Sequence, residues 1–492
     1  MTSSRYTKFL LLVAGLGGLL YGIDFGVIAV SMPYIKALRY YTDAQVSWIV
    51  GAVMFGGILA SATAGWLCDR FGRKKMIIFG TSLFLLAVPV ICFSGRSLAV
   101  MLTGRTLQGM SAGYMAVVML MYLTECLPPD VRGRGTGVFQ MLLCIGHVVS
   151  AIVGVAIAHF LGASDSAVAD ATKDFAWRLN FWWSLLPVGI LFVGAFWLKE
   201  SPVWLEKVQK FRRFGKFGKF GRPGSSQSSQ SSQSSQPSQT SQTSQTFQTF
   251  QTSQTSQTSQ TFQTSQTFQT SQTSQTLFQR KYVIPFLLAV LVLTFNKTIG
   301  MSSIIAYSVS LFQKAGLSGT LANVGDLVLK TTNLVMTLVA ITLVDRKGRT
   351  WLLKVGTGGL TLGLLSIGLF YFAIERGWMT ASPTSGFLTL VAFMLMQSFY
   401  AIGPGICVWL VLSELMPTRI RANGMAIALF ANQFVAWGLA SSFFPMTNAW
   451  GYGAVFFLFA ASGVLYFVTV LFIPETKGMS LDEIENLWSK GK

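Results

Sequence analysis

Charge is what this chain has least of. Asp, Glu, Lys and Arg make up 11% of its 492 residues, hydrophobic residues 52%, and the mean hydropathy is +0.54. Soluble domains carry about 25% charge, so a water-soluble globule is excluded. Acidic residues are the scarcer sign, 18 against 37 basic, for a net charge of +19. In a soluble protein that excess would suggest nucleic acid as partner, but its placement along this chain argues against one. Cysteine is limited to positions 68, 92, 126, 144 and 407, inside or at the ends of apolar runs. These five show neither metal-ligand spacing nor a disulfide framework and read as packing thiols. No nucleophile–base set, nucleotide loop or metal cluster stands out, so neither an enzyme nor a cofactor is expected. A cleavable signal peptide is not expected either, because the first apolar run is too long and more runs follow it.

Long apolar runs are what the chain has in plenty. A helix needs about 18 or more such residues to cross a hydrocarbon core of ~30 Å. Such runs lie near 8–30, 46–68, 76–95, 98–127, 134–161 and 179–198, and again near 282–306, 322–344, 350–373, 385–413, 421–445 and 452–473. Six plus six spans predict an all-α membrane protein divided as 1–198, a connecting segment 199–281, 282–473 and a tail 474–492. With the N-terminus inside, 27 Lys and Arg fall on inner segments, 7 on outer loops and 3 in helices (Arg105, Lys297 and Lys330). The positive-inside rule then predicts that both termini are cytoplasmic in a multi-pass plasma or inner membrane protein.

Within the connecting segment, 225–276 is almost wholly Ser, Gln and Thr with interspersed Phe. It has too little apolar surface to offset ordering entropy and reads as a disordered linker, or alternatively as a partner or self-association tract. Just before it, 211–222 alternates basic residues with Phe. That pattern suits anionic headgroups, or simply adds positive charge on the inner side.

Three phrases occur twice in the same order. Asp69-Arg70-x-Gly72-Arg73-Lys74 returns as Asp345-Arg346-Lys347-Gly348-Arg349. Glu125-x-x-Pro128-x-x-x-Arg132 returns as Glu414-x-x-Pro417-x-x-x-Arg421, and Glu200-Ser201-Pro202 is echoed by Pro474-Glu475-Thr476. The leading acids Asp69 and Asp345, Glu125 and Glu414, and Glu200 and Glu475 are 276, 289 and 275 residues apart. A membrane chain with a duplicated unit points to a transporter. The set Asp69, Arg73, Glu125, Arg132, Glu200, Asp345, Arg349, Glu414 and Arg421 falls at inner helix ends in both halves. There it can form ion pairs between the halves that close the inner side as a gate.

Asp24 lies well inside span 1, where a carboxylate should face a cavity or a partner. Counted from residue 8 it is roughly 24 Å deep, and Arg105 of span 4 is at roughly 20 Å, so the two can meet. A buried acid beside an Arg can take up and release a proton as their contact changes. Alternatively, the pair only fixes packing.

The chain resembles the sugar porter family of the major facilitator superfamily. The resemblance rests on Gly22-x-Asp24-x-Gly26, Asp69-Arg70-Phe71-Gly72-Arg73-Lys74, Gly104-Arg105-x-x-Gln108-Gly109 and Tyr122-Leu123-Thr124-Glu125. Further matches are Glu200-Ser201-Pro202-x-Trp204-Leu205, Gly403-Pro404-Gly405, Ser413-Glu414-x-x-Pro417 and Pro474-Glu475-Thr476-Lys477-Gly478. It covers everything outside 225–276. It implies twelve helices in two six-helix bundles, one sugar site between them, and alternating access. The Asp24 and Arg105 positions imply proton symport.

The same resemblance implies a sugar site that departs from the family. Gln140 and Trp409 match a sugar-binding Gln and a stacking Trp, and Asn432 a family Asn. His147 replaces a second Gln, Asn296-Lys297 a Gln pair, Ser302 an Asn, and Gln433 a Trp; of two adjacent Tyr only Tyr307 remains. Gln140, Asn296, Ser302, Asn432 and Gln433 supply donors and acceptors, and Trp409 an aromatic platform. Lys297 is a donor only, suited to an acidic sugar, or alternatively snorkelling or pairing with Asp326. His147 reads as a titrating group or a satisfied core histidine. The expected function is proton-coupled uptake of a monosaccharide by a monomer in the lipid bilayer. The alternatives are symport of an organic or sugar acid, and a non-transporting nutrient receptor on the same fold.

Overall fold

The computed structural model describes the backbone of residues 4–127, 129–164, 167–217, 280–416, 421–475, 479 and 483. The 225–276 tract, Pro128, Pro417 and 476–478 lie outside the described residues, as do the side chains of Arg132, Asp345, Trp409 and Arg421. Every regular element among the described residues is helical.

The first half contains α1 (Ser4–Ala37), α2 (Asp43–Phe71), α3 (Arg73–Cys92), α4 (Leu98–Cys126) and α5 (Pro129–Leu161), then α6 (Asp170–Trp182) and α7 (Leu185–Phe196). After α8 (Pro202–Phe217) the second half contains α9 (Arg280–Thr298), α10 (Met301–Ala315), α11 (Gly319–Lys347), α12 (Arg349–Glu375), α13 (Pro383–Ile402), α14 (Pro404–Leu415), α15 (Arg421–Trp450) and α16 (Tyr452–Leu471). Among the described residues, twelve stretches are long and apolar enough to cross a membrane, so the chain is a multi-pass membrane protein. Several helices overrun the expected bounds: the first begins at Ser4 and ends at Ala37 rather than spanning 8–30. Hydropathy marks only the part that meets hydrocarbon, whereas backbone hydrogen bonding carries the helix beyond it.

Among the described residues, three spans are interrupted. Span 6 breaks between α6 and α7, span 7 at Gly300, and span 10 at Gly403. Gly300 has φ 75°, and an added Cβ would strike the Phe459 ring. Pro404 has no N–H to continue the helix before it, so span 10 restarts there.

Within the first half α1 packs on α5 and α4 on α2 and α3; within the second α12 packs on α13 and α16, and α11 on α13. Without a hydrophobic drive between helices in lipid, close approach depends on small residues. Gly22 and Gly146 show this at the α1–α5 crossing, where a Cβ on either would run into the other helix's backbone. The halves meet along α2–α15, α5–α11 and α1–α10.

Candidate functional site

The seam between the halves carries a buried ion pair. Asp24 is two residues, about 200° of helix, from both Gly22 and Gly26, which face α5. It therefore points away from α5, toward α4. Arg105 Nη1 lies 3.7 Å from Asp24 Oδ1, with both side chains buried. Arg105 Nη1 also donates to Gln108 Oε1 at 2.6 Å and Nε to the Ile49 carbonyl at 3.4 Å, with the Phe181 ring beneath the guanidinium. Neither Asp24 oxygen accepts a hydrogen bond among the described residues. Charge-assisted bonds are near 2.7–2.9 Å, so this is an open pair, attracted but not bonded. Tyr21, one turn earlier, stands near both Asp24 and Tyr400 of the other half.

Polar groups from the second half surround the break in span 7. Asn296 is approached by the Tyr400 and Tyr466 hydroxyls, and its Nδ2 has no partner among the described residues. Lys297 Nζ donates to Ser302 Oγ across the break at 3.5 Å. Asn432 Nδ2 donates to the Leu293 carbonyl at 2.7 Å, which ties it to α9. Gln433 lies against Gly57 of α2, at the boundary between the halves. Tyr307 donates its hydroxyl to Ala440 O at 3.1 Å and stacks its ring 4.6 Å from that of Phe443, while Ser47 and Arg105 of the first half also stand near its hydroxyl. From the first half, Gln140 is half-buried, and His147 is buried with no partner for Nε2 among the described residues.

Asp326 is not the partner of Lys297. It binds Lys330 at 2.6 Å, one turn along the same helix, and accepts from Ser308 Oγ. The i,i+4 spacing made that pair readable in the sequence, and Lys330, not Lys297, is within reach. A polar chain was also missed: Gln397 Nε2 donates to Asn333 Oδ1 at 2.7 Å, and Asn333 and Thr337 both approach the Cys144 sulfur across the seam. Its signal was present as lone amides within the apolar runs of spans 8 and 10.

On the side that holds the N-terminus and α8, Arg73 pairs with Glu125 at 2.7 Å and with Asp69 at 3.3 Å. Glu200 accepts from the backbone N–H of Arg73 and Lys74 at 2.8 and 3.1 Å. The second half repeats the plan: Arg349 Nε lies 3.4 Å from Glu414, and Glu475 accepts from the N–H of Arg349 and Thr350 at 3.0 and 3.1 Å. In both, a carboxylate satisfies the orphan donors of a helix start and its dipole. The helix begins after a glycine with φ of 95° or 90°, Gly72 or Gly348. Each of these named pairs lies within one bundle.

On the opposite side the halves touch. Asn448 Nδ2 donates to Asp43 Oδ2 at 2.8 Å, while Lys36 binds Asp43 Oδ1 at 2.9 Å and lies over the Phe444 ring. Phe444 N–H donates to Ser47 Oγ at 3.1 Å, and Gln313 Nε2 to Ser164 Oγ at 3.0 Å.

Two duplicated bundles, a seam of polar groups at mid-depth, and contacts joining the halves on one side define the architecture of a secondary transporter. A sequence model of the family described as "Sugar (and other) transporter" matches residues 10–488, and the chain belongs to that family, one of transporters rather than enzymes. It is 26% identical over 495 residues to the arabinose-proton symporter of Bacillus subtilis (strain 168), covering 100% of this chain and 97% of the relative. Identity is also 26% over 494 residues to the galactose-proton symporter of Escherichia coli (strain K12), covering 100% and 96%. The partially occluded inward-open structure of the xylose transporter XylE from E. coli superposes with a TM-score of 0.72 at 21% identity, covering 97% of this chain and 100% of that one. A second, the major facilitator superfamily proton:xylose symporter XylE bound to 6-bromo-6-deoxy-D-glucose, gives 0.69 at 23% identity, covering 99% of each. The fold is that of the major facilitator superfamily.

Proposed function

We propose that the protein couples proton entry to uptake of a monosaccharide by alternating access. The observation that carries this reading is the open Asp24–Arg105 pair, buried at the seam and made between two different helices. Asp24 carries the proton. Solute enters between the bundles at Gln140, His147, Asn296, Ser302, Asn432 and Gln433, with Trp409 as platform and Tyr307 supporting from behind. The full-length likeness to sugar-proton symporters supports the same reading. With 27 of 37 Lys and Arg on the side of the termini, that side faces the cytoplasm. The charge sets around Arg73 and Arg349, with Arg132, Asp345 and Arg421, act there as the gate. The contacts of Asp43 with Asn448 and of Ser47 with Phe444 then close the outer side. One chain in lipid supplies both bundles, so the working unit is a monomer.

Asp24→Asn tests the coupling. In proteoliposomes it should abolish uphill uptake driven by a pH gradient while sparing solute counterflow. Unchanged uphill accumulation would refute the role of Asp24.

A further inference from the structure

The charges at mid-depth do not balance. The described residues place three cations there, Arg105, Lys297 and Lys330, against two carboxylates, Asp24 and Asp326. Lys330 is matched by Asp326 at 2.6 Å, and Arg105 stands beside Asp24. Lys297 has Ser302 Oγ at 3.5 Å, and no carboxylate among the described residues acts on it.

Lys297 is not placed to escape into lipid. On α9 the lipid-exposed residues are Leu287 and Leu291, and Lys297, itself half-buried, lies about 80° and about 120° around the helix from them. Its position continues the i, i+4 row of Ala289 and Leu293, which are buried. The carbonyl end of α9 offsets about half a charge, and the rest is uncompensated. Beside it, across Gly300, α10 begins with orphan backbone N–H groups. Asn296, 5% exposed, has the Tyr400 and Tyr466 hydroxyls near it but makes no hydrogen bond through Nδ2 among the described residues, and Ser303 Oγ is unpartnered there as well. The break is thus rich in donors, with a fixed positive charge.

We propose that the span 7 break seats a substrate carboxylate, so that the solute is an acidic monosaccharide such as a hexuronate. This rests on the proton-coupled sugar reading and narrows its substrate class. The carboxylate pairs with Lys297, accepts from Asn296 and the start of α10, and leaves the sugar hydroxyls to Gln140, Asn432 and Gln433. A half-helix N-terminus aimed at an anionic group is a solution open to transporters with interrupted spans. One consequence separates this from neutral-sugar symport. A proton carried with a monoanion moves no net charge, so uptake responds to a pH gradient and not to membrane potential.

The test uses proteoliposomes of the full chain, radiolabelled glucuronate and glucose, and either a pH gradient or a potassium diffusion potential. Wild type should accumulate glucuronate with the pH gradient and not with the potential alone. Lys297→Gln should lower glucuronate uptake at least about 30-fold, the loss expected on removing one partner of a buried charge pair. Thermal unfolding of that variant in detergent, at the wild-type temperature, reports that it is folded, and Lys297→Arg should keep the preference for the acid. Accumulation of glucose but not glucuronate by wild type overturns the inference and leaves the coupled-sugar reading standing. Undiminished glucuronate uptake by Lys297→Gln overturns it too. If wild type accumulates neither solute against its gradient, both fall together.

Discussion

The two bundles share phrases but differ in how they hold buried charge. In the first, Asp24 and Arg105 come from two helices and stand 3.7 Å apart without a hydrogen bond. In the second, Asp326 and Lys330 lie on one helix, four residues apart, at 2.6 Å, and Ser308 adds a further bond. A pair made between helices changes when those helices move against each other. A pair on one helix moves as a unit and cannot sense the motion. The first therefore suits coupling, and the second suits neutralising a fixed internal charge.

The sharpest way to break this contrast is to neutralise each acid in turn. Asp24→Asn should remove pH-driven accumulation, whereas Asp326→Asn, still able to bond Ser308, should retain it per folded molecule. Equal loss in both would erase the distinction. Next in size is stability. Asp326→Ala leaves Lys330 buried and unpaired and should lose about 3–5 kcal/mol, seen as earlier thermal unfolding in detergent. Asp326→Leu combined with Lys330→Met should recover most of that loss, because no bare charge remains.

A smaller contrast lies on the side of the termini. Arg73 meets Glu125 at 2.7 Å with 7% and 13% side-chain exposure, while Arg349 meets Glu414 at 3.4 Å with 20% and 21%. Arg73→Ala should therefore destabilise by roughly 3 kcal/mol and Arg349→Ala by roughly 1, measured in the same unfolding assay. The reverse order would show that bond length and burial do not rank these clusters. The least effect is expected from Asn448→Ala. It removes one exposed cross-bundle hydrogen bond of about 1 kcal/mol and should raise labelling of a cysteine placed at Ser47 about fivefold.

Some of the site could be read along the chain. Depth is nearly linear in residue number along a helix, so counting along the spans brought Asp24 and Arg105 to one level. The duplicated Glu200 and Glu475 phrases were equally visible, but their role was not. Both carboxylates sit on helix starts of their own bundle, a contact between residues more than 120 positions apart. Glu375 does the same for Tyr452 at 2.6 Å and belonged to no repeated phrase. The breaks at Gly300 and Gly403 both fall inside runs read as continuous spans, 282–306 and 385–413, although Pro404 carried a signal for the one at Gly403. The one at Gly300 carried none, because a glycine alone is tolerated inside a helix and the crowding by Phe459 is a tertiary fact.

The sequence by itself settled that this chain crosses a membrane twelve times and contains one unit written twice. Those properties follow from hydropathy, length and recurrence, which are local and survive without knowledge of neighbours. Only the tertiary structure decided that Asp326 belongs to Lys330, that Tyr307 faces α15, and that Lys297 is left beside an interrupted helix with no carboxylate among the described residues. The physical reason is that position along a chain sets depth in the membrane, while packing sets the rotation of each helix and hence which polar groups share the interior.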